Sequence, residues 1–163
     1  MSYPGIGGHY WEKDAIVSRG SYILDEDWGV EFGEPVCVIG TGTTAIPQNK
    51  KTVKSYDDPA GTVPCIAVSI EWRRAVGTWD AEDMALHGRQ DFKRDLALVK
   101  SGGVTVKNMG TGLINDGDRV VPINGGCTAM TASGQHSLGI AKQDIQPGQY
   151  GLVDIQPDEE KGL

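Results

Sequence analysis

One phrase is written twice in this chain, and the repetition constrains its fold more than any other feature. Residues Gly33–Ile46 read GEPVCVIGTGTTAI, and residues Gly117–Met130 read GDRVVPINGGCTAM. Set over each other without a gap, at a spacing of 84 residues (117 − 33), they share six of fourteen positions. The identities are Gly33/Gly117, Val36/Val120, Ile39/Ile123, Gly42/Gly126, Thr44/Thr128 and Ala45/Ala129; Glu34 also meets Asp118, and Ile46 meets Met130. Glycine takes a positive φ at little cost, and a neighbouring carboxylate accepts backbone N–H groups of a tight turn. The phrase therefore predicts a turn that feeds an apolar strand, then a second Gly-rich turn, and predicts it twice. A body of two related strand–turn–strand units follows. Further on, CIAVSI (Cys65–Ile70) is loosely like GIAKQDI (Gly139–Ile145), after a longer connection in the first copy.

The phrase is architectural rather than chemical. A nucleotide-binding glycine loop leads from a strand into a helix; here the glycines lead into Thr-Ala and another strand pattern. His9, His87 and His136 are isolated, and Ser137 beside His136 projects to the opposite face of a strand. Cys37, Cys65 and Cys127 are odd in number and widely spaced, a poor framework for disulfides or zinc, and read as small buried apolar residues. The expectation is a protein that is not an enzyme and that uses no cofactor or metal.

Composition narrows the class. With 23 Gly among 163 residues, few aromatic residues and frequent Val, Ile and Thr, the chain favours short strands and tight turns, an all-β fold. Its net charge of −7 argues against nucleic acid or an anionic membrane as the main partner. The first residues, MSYPGIGGHYW, lack the basic and apolar regions of a signal peptide, and the unpaired cysteines fit a reducing site of synthesis.

Three regions are expected. Residues 1–30 carry Tyr3, Tyr10, Trp11, Tyr22 and Trp28 and one strand-like stretch, Ala15–Leu24. They form either a frayed terminus with an edge strand or an adhesive arm whose aromatic residues contact a neighbour. Residues 31–156 form the β-body, with PVCVI and TVPCIAVSIEW as strands and KTVKSYDDPAG as a polar connection. DLALVKSGGVTVKNM reads as a hairpin turning at Ser-Gly-Gly, with further turns at Asp116–Gly117 and Pro147–Gly148. An insert at about 73–94 is the one helical candidate, with Asp80 as N-cap and Ala81, Met84, Ala85 and Phe92 on one face. Residues 157–163 are an acidic tail. Gly33, Gly42, Gly117, Asp118, Gly126, Gly139 and Gly148 are the structural turn positions.

The C-terminal half resembles the small capsid decoration, or cement, proteins of tailed viruses. The matching pieces are Gly117-Asp118-Arg119-Val120, Leu138-Gly139-Ile140-Ala141 and the closing run from Gly148 to Ile155. The likeness covers residues 94–156 well and 33–72 loosely; residues 1–30 and 73–93 depart from it. It implies a small β-barrel or β-tulip-like body, standing as a homotrimer on the capsid exterior of a virion and bridging subunits of the major capsid protein. The alternatives are a tail or baseplate β-protein, or a small β-barrel enzyme or ligand-binding domain.

Overall fold

The computed structural model describes residues 16–18, 22–25, 28–41, 51–58, 64–72 and 96–156. These residues are all-β. The strands are β1 (Ile16–Ser18), β2 (Tyr22–Leu24), β3 (Pro35–Thr41), β4 (Lys51–Ser55), β5 (Ala67–Ser69), β6 (Leu98–Lys107), β7 (Arg119–Ile123), β8 (Gly126–Ala129), β9 (Gly139–Ala141) and β10 (Tyr150–Ile155). They make one mixed sheet in the order β2-β4-β3-β5-β6-β10-β9-β7-β8, with β1 also paired to β6. The path has two ends, β2 and β8, so the sheet is not closed into the expected barrel. The helical candidate and the acidic tail lie outside the described residues.

Two units are present, and their registers agree. β3 pairs β5 through Pro35↔Val68 and Val36↔Ala67; β7 pairs β9 through Arg119↔Ile140 and Val120↔Gly139. β3 pairs β4 through Val36↔Ser55 and Val38↔Val53; β7 pairs β8 through Val120↔Ala129 and Pro122↔Cys127. Leu24 pairs Val53 in parallel, and Asn108 pairs Cys127 in parallel. The strand β6 belongs to both units. Its first residues pair β1 and β5, and Gly102–Lys107 pair β10. One long strand thus ends the first unit and begins the second.

The registers also correct the sequence reading. The residues that take the places of Cys127–Ala129 in the first unit are Val53–Ser55, because both sets pair the strand before them in the same register; at Thr52 the register shifts, and it pairs Gly40 where Gly126 pairs Ile123. The places of Thr128 and Ala129 in the first unit are thus held by Lys54 and Ser55 rather than by Thr44 and Ala45, and Gly42, Thr44 and Ala45 themselves lie outside the described residues. Gly126 does not open a turn but begins β8; the turn is at Asn124–Gly125, where Gly125 has φ 89°. KTVKSYDDPAG is not a connection throughout: Lys51–Ser55 is β4, held between β2 and β3, with Val53 buried.

Ser101-Gly102-Gly103 does not turn the chain. It runs through the middle of β6, because β10 supplies a partner for it, Ile155↔Gly102 and Asp154↔Gly103. Gly102 has φ 103°, so the strand bends there without reversing, a use of glycine that ungapped alternation cannot distinguish from a hairpin.

The core follows the duplication. Leu24, Val30, Val36, Val53 and Leu98 cluster in the first unit. By register, and for Val30 by the spacing of 84, their counterparts are Asn108, Ile114, Val120, Cys127 and Val153, all buried. Burying each Leu, Ile or Val side chain contributes about 1.5–3 kcal/mol. The exception is Asn108, which stands where the first unit has Leu24. Its amide donates to the carbonyls of Ile145 at 2.8 Å and Gly112 at 2.9 Å, and its Oδ1 accepts the Gly110 N–H at 2.9 Å. A buried amide needs such partners, and here it ties the start of the second unit to the loops at its end.

Candidate interaction surface

Each unit opens on the same turn. In the first, Glu34 N–H donates to the Glu31 carbonyl at 3.3 Å and the Glu34 carboxylate accepts the Glu31 N–H at 2.9 Å. In the second, Asp118 N–H donates to Asn115 at 3.0 Å and the Asp118 carboxylate accepts the Asn115 N–H at 2.8 Å. The acid that follows glycine in the repeated phrase is thus the staple of its turn. Burial raises the Glu34 carboxyl above its usual range, against the lowering effect of the Glu31 N–H and the Ser55 hydroxyl. Gly33, Gly117 and Gly148 take left-handed φ values of 80°, 91° and 81° at their turns. Gly139 has another reason to be glycine: a Cβ there would collide with the Asp154 carbonyl of β10.

What the two turns display differs. Phe32, next to Gly33, is 47% exposed, and Trp72, just beyond β5, is 48% exposed. The segments that carry them are in contact, since Gly33 N–H donates to Ser69 and Ser69 N–H donates to Glu34, both at 2.8 Å. The counterparts in the second unit are Asp116 (32 + 84) and Asp144 (72 + 72, the shift that relates β5 to β9). There the Asp144 carboxylate accepts the Asp116 N–H at 2.9 Å. One backbone frame therefore carries two exposed aromatic residues in the first unit and two carboxylates in the second. Glu31, exposed beside Phe32, and Glu34 face Tyr150 closely enough that their charges, after burial, help raise its phenol.

The second unit has a cleft instead. Asp118, Arg119 and residues 129–133 line an open depression of roughly 400 Å3, with Met130 at its wall. The counterpart of Met130 is Tyr56: their N–H groups donate to Arg119 and Pro35, the paired positions of β7 and β3, both at 2.9 Å. Tyr56 is wholly buried.

Of the aromatic residues expected at an interface, Tyr22 and Trp28 are half-buried against the first-unit core. The Lys100 ammonium sits 5.5 Å from the Tyr22 ring centre, and that of Lys54 sits 4.9 Å from the Trp28 ring. Tyr3, Tyr10 and Trp11 lie outside the described residues. β1 and β2 fall within the segment expected as an arm, yet they are paired strands of the body. Phe32 and Trp72 were missed by the sequence reading. The signal was available, because sliding the chain by 84 residues sets Phe32 over Asp116, a polar-to-aromatic exchange in a turn.

Cys37, Tyr56 and Cys65 share one core cluster, close enough that their charges, after burial, help raise one another. Cys37, Cys65 and Cys127 are buried free thiols, and burial pushes them up to about 11, about 12 and about 12. His136 and Ser137 are both buried, and the His136 Nδ1 has no hydrogen-bond partner among the described residues. Among the described residues, no group of three or more His, Cys, Asp or Glu is placed to hold a metal ion. No known protein family and no curated protein matches the chain.

Proposed function

We propose that the chain is a virion structural protein of a tailed virus. It decorates and stabilises the capsid from outside, as a homotrimer that bridges major capsid protein subunits. Within this reading the body of two related units is β-tulip-like, residues 73–94 are a peripheral helical insert, and the adhesive arm expected over residues 1–30 keeps only the part before the paired strands β1 and β2. The resemblance to cement proteins supports it, and the pieces that carry the resemblance are the turn before β7, the strand β9 and the strand β10. The observation that carries the reading is the exposed pair Phe32 and Trp72 on a β-body, on turns that the second unit makes with carboxylates. Exposed aromatic side chains on neighbouring segments of a surface are enriched at contact sites.

The test is co-sedimentation of the purified full chain with capsid shells assembled from the major capsid protein of the same virus. Saturable binding at a fixed ratio to shell subunits is expected. Absence of binding to both unexpanded and expanded shells would sink the reading.

A further inference from the structure

Cys37 and Cys65 are 28 residues apart along the chain (65 − 37) and meet across the sheet. Val36 of β3 pairs Ala67 of β5, and its carbonyl also accepts the Ile66 N–H at 3.0 Å. Two residues of one segment thus oppose one residue of the other, a β-bulge. The side chains follow that count. Ile66 and Ala67 both lie with Val36 and Val38 in the first-unit core, whereas Cys37, Cys65 and Val68 lie in the larger cluster to which both units contribute. One residue beyond the bulge, Cys65 stands opposite Cys37. Opposed residues at such a position, between hydrogen-bonded pairs, have Cα atoms about 4.5 Å apart, within the span of a disulfide. The Cys65 sulfur lies by the N–H of Val36, the residue before Cys37, and after burial a charge on Cys37 raises the Cys65 thiol further. The second unit makes the same bulge, with Val120 pairing Gly139 and accepting the Leu138 N–H at 2.8 Å. Its opposed residues are Val121 and Ser137, both buried. The frame itself therefore does not call for sulfur, and the first unit carries it at both places. Cys127 belongs to the same cluster, but burial alone raises it, and no other thiol contributes.

We propose that Cys37 and Cys65 form a redox site, which a peroxide converts to a disulfide tying β3 to the segment that enters β5. Cys37 reacts first, because the Lys54 ammonium counters burial there and its thiol titrates at about 11 against about 12 for Cys65. The Cys37 thiolate attacks one oxygen of hydrogen peroxide, the O–O bond breaks and hydroxide leaves, giving a sulfenic acid. The Cys65 thiolate then attacks the Cys37 sulfur, the S–O bond breaks and a second hydroxide leaves. The hydroxides take up the two thiol protons, so two thiols and one peroxide give one disulfide and two waters. Burial keeps both thiols protonated near neutral pH, so the reaction is slow and needs a small oxidant. The site does not depend on the capsid reading, and its test involves the chain alone.

The full chain is reduced, freed of reductant and held for hours in excess hydrogen peroxide at mildly alkaline pH. Remaining thiols are capped with a maleimide after unfolding, and the unreduced digest is read by mass spectrometry. The expected result is a linked peptide pair joining Cys37 to Cys65, with free thiols falling from three to one and Cys127 the one that remains. A phosphine should reverse the linkage. The oxidised protein should melt about 5–10 °C higher than the reduced one, as closure of a loop of this length predicts. The same treatment in urea, where all three thiols are exposed, should give mixed pairings instead, so selectivity for Cys37 and Cys65 reports the folded arrangement. Folded protein in which Cys127 is oxidised as fast as the pair, disulfides only between separate chains, sulfinic acids without any linkage, or three surviving thiols would each overturn the proposal.

Discussion

Gly33 and Gly117 stand 84 residues apart and make the same hydrogen bond. Each takes a left-handed φ, 80° and 91°, and each donates its N–H at 2.8 Å to the last residue of the strand beside it, Ser69 in one unit and Ala141 in the other. The strand that leaves each turn pairs that neighbour in the same register, and the same core positions are buried behind it. Duplication of this unit, joined through β6, is the architecture of the molecule.

Glycines in this frame differ in what they resist. Gly117 has open space where a Cβ would go, so Gly117→Ala meets only the cost of left-handed backbone, about 1–2 kcal/mol. Gly139 and Gly126 have backbone carbonyls in that space, Asp154 and Lys107 respectively. Gly139→Ala and Gly126→Ala are expected to cost more than Gly117→Ala, above about 3 kcal/mol, the range of severe core lesions. Urea unfolding of the three variants checks the order.

Asn108 should be the most sensitive polar residue of the body. Asn108→Ala removes three hydrogen bonds, to the Ile145 and Gly112 carbonyls and from the Gly110 N–H; the Ile145 carbonyl keeps the Ile114 N–H and Gly112 is exposed, so the loss is about 1–3 kcal/mol. Asn108→Leu, the residue that the first unit carries at this place, keeps the volume but not the hydrogen bonds. It should remain destabilised, because the loops at 110–112 and 145 have no counterpart bond to replace them. Chemical denaturation of both variants is the measurement.

Stability should fall in alkali through the thiols. Unfolded cysteines ionise near 9.0, whereas burial holds Cys37 at about 11 and Cys65 and Cys127 at about 12. Between those values the folded state binds more protons than the unfolded one, so its stability declines as pH rises from about 9 towards 12. The triple variant Cys37→Ala/Cys65→Ala/Cys127→Ala should start lower, by about 1–2 kcal/mol per site from lost packing, and decline less steeply. Unfolding midpoints from pH 8 to 11 report both effects.

The first strands belong to the body. Removing residues 1–14 should leave the fold and its melting intact. Removing 1–28 deletes β1, β2 and the buried Leu24, which alone accounts for about 2–5 kcal/mol, and the product should lose cooperative unfolding. Circular dichroism melts of the two truncations distinguish them.

The sequence revealed the duplication at the residues whose backbone demands a particular type. Gly33 and Gly117 were visible because their φ excludes most side chains, and Glu34 and Asp118 because a side-chain acceptor staples that turn. It misled where composition alone produced likeness. Thr44/Thr128 and Ala45/Ala129 matched in letters, but the place of Cys127–Ala129 in the first unit is held by Val53–Ser55, part of a polar-looking strand fixed by partners on both sides. CIAVSI matched GIAKQDI two residues out of register, since Ala67 rather than Cys65 occupies the place of Gly139. Gly102–Gly103 looked like a turn because its straightening partner, β10, lies fifty residues further along the chain. The surface pair Phe32/Trp72 could not be assembled from sequence, as it depends on the contact between the turn before β3 and the exit of β5.

The reading as a capsid decoration protein is tested most directly by quantitative mass spectrometry of purified particles of the virus that encodes the chain. The account predicts the chain in the particles, in numbers comparable to the major capsid protein and unchanged when tails are removed. Its absence from the particles, or a handful of copies that leave with the tails, would contradict it.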